Sequence, residues 1–142
     1  KGEQYMYDVQ NVVSQAYSTY LKKQSADLEA AYRADTYGGE TPEETLRLFV
    51  EALEKRDFEL ASKYFVIENQ EENLKRFPEA VQSGGMNAFV NAYRNGEVVP
   101  PEGVGSSGIY EIEIFESQED EVGFGVRLLE NEFTSKWKIL EL

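Results

Sequence analysis

Between residue 5 and about residue 33, apolar side chains return at helical intervals. One row runs through Met6, Val9, Val13, Ala16 and Tyr20, and a second through Val12, Tyr17, Leu21, Leu28 and Tyr32. No Gly or Pro interrupts them, so the pattern predicts one long helix. The spacing drifts instead of holding strict heptads. The expectation is therefore a helix packed on its own domain, with a stalk or a dimerisation helix as the alternative. Gly38 and Gly39 then break the chain and permit a sharp change of direction.

The stretch TPEETLRLFVEALEKRDFELASKYF, Thr41 to Phe65, reads as two amphipathic helices with a short joint. Thr41 is a good N-cap, Pro42 suits the first helical position, and Glu44 completes a capping box. Glu43 and Glu44 also face the positive end of the helix dipole. Leu46, Phe49, Val50 and Leu53 form the buried stripe of a helix ending near Lys55. Asp57 is the expected cap of the next helix, with Leu60, Ala61, Tyr64 and Phe65 inward. Two more short helices are expected over residues 69 to about 77 and 86 to about 94, separated by Pro78 and by Gly84-Gly85. Their buried residues would be Leu74, Phe77, Phe89, Val90 and Tyr93. Residues 95–108 read as loop, with at most a short edge strand around Val98.

From residue 109 the period changes to two. Tyr110, Ile112 and Ile114 share one strand face, with Glu111 and Glu113 on the other. Val122, Phe124, Val126 and Leu128 follow after a connection at Ser117–Glu121. Asn131-Glu132 turns the chain, and a last strand places Phe133, Trp137 and Ile139 together, with Leu140 and Leu142 opposite. Both faces of that strand are expected to be partly covered, the long helix being a candidate cover. Helices followed by an antiparallel meander define an α+β domain with helices on one face of the sheet.

Composition narrows the function classes. The chain has 142 residues, 41% apolar and 13% aromatic, enough for one real core. Its net charge of −13 argues against nucleic acid and against direct docking on anionic lipid. Of 27 acids only five are Asp, which fits a solvated Glu coat on helices. Residues 1–35 hold four basic and five acidic side chains, the remainder ten and 22, so the N-terminal segment is a distinct element. Cys and His are both absent. That excludes Ser–His and Cys–His nucleophile pairs and ordinary zinc sites. No stretch reaches transmembrane length and no signal peptide is visible.

The Thr41–Phe65 stretch, followed by helices and a meander ending in KWKILEL, resembles the nuclear transport factor 2-like superfamily. It looks most like the superfamily's bacterial envelope, lipoprotein-type branch. There a Thr-Pro-Glu-Glu helix start precedes F-x-x-A-L-x-x-x-D and a K-W-K-I terminal strand. The resemblance covers about residues 41–142 and is weaker over 66–108. It implies a cystatin-like cone, with a curved antiparallel sheet wrapped around helices and a pocket at the open end. It also implies an extracytoplasmic domain on an N-terminal membrane anchor, with the long helix between the two. The expected domains are thus 1–35, the long helix, and 36–142, the cone.

Enzymes in this superfamily resemble one another in placing Asp, His or Tyr inside the cone. Here the five Asp residues, Asp8, Asp27, Asp35, Asp57 and Asp120, all fall outside predicted strand interiors. The expectation is therefore a non-enzymatic domain that binds a small apolar ligand or a protein partner. A cone-pocket enzyme using Glu and Tyr, and a structural homodimerisation module, remain as alternatives. Tyr64, Tyr93, Tyr110, Ile112, Phe124 and Trp137 are the candidate pocket residues, with plain core packing as the competing explanation. Arg94 is a further polar candidate at the mouth. The acids of SQEDE, Glu119, Asp120 and Glu121, lack calcium-loop spacing, and GVGSSG lacks the Lys-Ser/Thr of a phosphate loop. No metal or cofactor is expected. The tyrosines at 5, 7, 17, 20, 32 and 37 mark either an interaction stripe or packing against the sheet.

Overall fold

A computed structural model of the chain describes Thr19, residues 21–117 and residues 123–142. The expectations for Met6 to Tyr17 and Tyr20, for the SQEDE acids and for Val122 lie outside the described residues. The chain divides into two units, Lys1–Asp35 and Thr36–Leu142. In the first, residues 21–34 form a helix, α1, whose residues 21–30 are all exposed. Among the described residues no helix is long and apolar enough to cross a membrane.

The second unit is α+β. Its described elements run α2 (Pro42–Glu54), α3 (Phe58–Lys63), α4 (Gln70–Ser83), α5 (Gly85–Asn95), β1 (Glu97–Val99), β2 (Tyr110–Phe115), β3 (Phe124–Glu130) and β4 (Trp137–Glu141). The strands form one antiparallel sheet in the order β1-β2-β3-β4.

Helix α2 begins where the capping residues dictate. The Glu44 N–H donates to Thr41 Oγ1 at 3.1 Å. The reciprocal bond is displaced by one residue, since Glu44 Oε2 accepts from the Glu40 N–H at 3.1 Å. At the other end the Arg56 N–H donates to Leu53 O and the Asp57 N–H to Ala52 O, both at 3.0 Å. This is a Schellman close, and it places Arg56 in the left-handed region with φ 58°. Asp57 then caps α3, its Oδ1 accepting from the Leu60 N–H at 3.2 Å.

Helix α4 differs from expectation, because it runs through Pro78 to Ser83 rather than stopping at Phe77. Proline inside a helix removes one backbone bond at a cost of about 3 kcal/mol. Here the Pro78 ring is exposed, while buried Phe77 and partly buried Leu74, Ala80 and Val81 dock on both sides of it. Packing of that stripe holds the helix together. The turn from α4 into α5 uses Gly84 at φ 83°. Gly96 lets the chain leave α5 for β1, since a Cβ there would collide with the carbonyls of Phe115 and Ala92.

The strand parity is as the pattern predicts. Ile112, Ile114, Val126, Leu128 and Ile139 are buried, and Glu111 and Glu113 are exposed. Inward side chains pair across strands as Ile112 with Val126 and Leu128 with Ile139. Phe49 centres the helical side of the core, with the rings of Phe65, Phe89 and Phe77 at 5.4, 6.1 and 6.3 Å. Phe133 departs from expectation. Strand β4 starts only at Trp137, and Phe133 sits exposed in a turn that Asn131 closes by accepting the Phe133 N–H at 3.0 Å.

The outer edge of β4 is sealed by segments distant in sequence. The Trp137 N–H donates to Gly39 O at 3.0 Å, the Ile139 N–H to Tyr64 O at 2.8 Å, and the Val66 N–H to Ile139 O at 2.8 Å. The Thr45 hydroxyl donates to Trp137 O at 2.9 Å, and Asn69 Nδ2 to Leu140 O at 2.9 Å. Gly38, at φ 133°, passes so close to the Trp137 carbonyl that a Cβ would collide with it. Lys138, whose parity suits a solvent-facing side chain, is 0% exposed. Its ammonium donates to Tyr37 O at 2.8 Å and to Lys63 O, the terminal carbonyl of α3. A cation at the carbonyl end of a helix is favourably placed.

Candidate functional site

An open cleft of about 290 Å³ is lined by Glu43 and Leu46 of α2, Tyr93 and Arg94 of α5, and Val98 of β1. Glu43 and Leu46 are three residues apart and share a helix face. Tyr93 and Arg94 come from the last turn of α5, and the turn at Gly96 brings Val98 back beside them.

Polar contacts fix the rim. Tyr110, the first residue of β2, donates its hydroxyl in a short hydrogen bond to Glu43 Oε1. That bond, with the carboxylate beside it, pushes the phenol up to about 12. The Trp137 ring meets the Tyr110 ring edge-on, with centroids 6.0 Å apart. Trp137 is in turn held through its backbone by Gly39 and Thr45, so the starts of α2, β2 and β4 converge on this pair. Arg94 grips Glu54 with two bonds, Nη2 to Oε1 at 2.6 Å and Nε to Oε2 at 3.2 Å. This pairing lowers the Glu54 carboxyl and raises the Arg94 guanidinium from their ordinary values. The guanidinium also stands 5.4 Å from the Tyr93 ring centroid.

The six candidate residues do not share one pocket. Tyr93 lines the cleft, Tyr110 meets its lining through Glu43, and Trp137 packs behind Tyr110. Tyr64 is buried, packs edge-on against Tyr37 at 6.5 Å and gives its carbonyl to Ile139. Ile112 is fully buried in the core. Phe124 packs edge-on against Phe89 at 5.4 Å and pairs with Ile114, at the opposite end of the β2–β3 ladder from Tyr110. Arg94 lines the cleft. Glu43, Leu46 and Val98 were not anticipated there. Glu43 had a sufficient role as a helix-start acid, and nothing local in the sequence links it to a tyrosine 67 positions away.

A phenol pushed up to about 12 keeps its proton near neutrality and is committed to Glu43. The Glu43 carboxylate that accepts from it is exposed. Among the described residues, no three carboxylates converge closely enough to hold a metal ion. Comparison with family models, with curated proteins and with solved structures gives no match to this chain.

Proposed function

We propose that Thr36–Leu142 is a non-enzymatic binding domain of the nuclear transport factor 2-like kind, working outside the cytoplasmic membrane on an N-terminal anchor. Its cleft between α2, α5 and β1 takes a small ligand with an apolar body. The observation that carries this reading is the combination of an apolar lining, Val98, Tyr93 and the almost wholly buried Leu46, with a rim fixed by the Tyr110–Glu43 bond. Pockets of this kind are mostly apolar with a few placed polar groups. The Thr41 capping motif and the helices-then-meander order support the family resemblance.

A ¹H–¹⁵N NMR screen of the 142-residue chain against small apolar alcohols and amines tests the reading. Saturable shifts at Leu46, Tyr93 and Val98 are expected. Shifts confined to residues remote from α2, α5 and β1 would overturn it.

A further inference from the structure

The charges around the cleft are unequal in their freedom. Arg94, the one cation lining it among the described residues, is already engaged by both oxygens of Glu54 and lies beside the Tyr93 ring. Glu43 receives a single hydrogen bond, from Tyr110, on Oε1. Its Oε2 accepts none from the described residues. Because the Tyr110 hydroxyl is committed as a donor, it offers only its remaining lone pair to anything else. The cleft thus presents acceptors and apolar surface, and its cation is neutralised. An anionic ligand would meet Glu43 without a compensating charge.

We infer that the cleft selects a small organic cation, an alkylammonium with a short apolar stem, whose ammonium meets Glu43 Oε2 while the stem lies against Val98 and Tyr93. This deepens the proposed function and rests on it. Glu43 stands in the first turn of α2, whose positive end offsets part of its charge, so selectivity is modest. An ion pair at an open site contributes at most about 1 kcal/mol, equivalent to about fivefold in affinity.

The test compares n-pentylammonium, 1-pentanol and pentanoate by NMR titration of the full chain at low salt. Pentylammonium is expected to bind about fivefold more tightly than pentanol, and 0.5 M NaCl is expected to erase the difference. Glu43→Gln should bring pentylammonium to the alcohol's affinity. Glu54→Gln, which releases Arg94, should allow pentanoate to bind. Equal binding of ammonium and alcohol to the unaltered chain would overturn the charge selectivity and leave the apolar cleft standing. Absence of binding by both would overturn the cleft reading itself.

Discussion

Lys138 and Glu43 are both charged side chains that join distant parts of the same unit, yet they sit in opposite circumstances. Lys138 is wholly buried and donates to two backbone carbonyls, one before α2 and one at the end of α3. Glu43 is exposed and holds Tyr110 across the mouth of a cleft. A buried ammonium must keep its partners, because carbonyls left without one bear the full desolvation cost. An exposed carboxylate exchanges its partner for water at small loss. The first charge is therefore architectural, and the second stays in contact with solvent.

Substitutions sharpen this contrast. Lys138→Met keeps most of the volume but removes the ammonium that bonds the carbonyls of Tyr37 and Lys63 from a fully buried position. Urea denaturation is expected to show a loss of about 3 kcal/mol. A loss below about 1 kcal/mol would move Lys138 into the same class as Glu43. Next in size is Thr45→Val, which removes the hydroxyl that accepts from Gly39 N and donates to Trp137 O, each at 2.9 Å. About 2 kcal/mol is expected from the same measurement. Tyr110→Phe should cost less than about 1 kcal/mol, and a larger loss would make the cleft rim part of the scaffold.

The smallest effect is in the alkaline limb. Tyr110 moves from an ordinary 10.0 to about 12 in the folded chain, so folding favours its protonated form. The stability it contributes is complete below pH 10.0 and is lost as pH rises through about 12. Tyrosinate absorbance should show a late-titrating phenol that disappears in Tyr110→Phe and moves earlier in Glu43→Gln. An unchanged late step in both variants would assign it elsewhere. Tyr64 is the rival, since burial raises it first and Glu51 adds to that.

What was legible in the sequence followed from local rules. Thr41 and Asp57 announce helix starts through side chains that reach only three residues. Ile112, Ile114, Val126 and Leu128 reveal their face by alternation alone. The departures arise where a distant partner overrides a local preference. Pro78 breaks helices on its own, but the Phe77 stripe docks on the core across it. Lys138 looks like a surface lysine until Tyr37 and Lys63 come within reach. The Tyr110–Glu43 pair belongs to this second kind, which is why the cleft, unlike the helices around it, could not be read from the chain.

The seal on β4 has a consequence in time. Its bonds to Gly39, Thr45, Tyr64 and Val66 and the two from Lys138 join the last strand to segments made some 70 to 100 residues earlier. Contacts of that span close large loops and slow folding. Until β4 is in place, the Phe-rich faces of α2 to α5 lack Ile139 and the strand that completes the sheet, so closure of this core waits on the pairing that spans the longest loops.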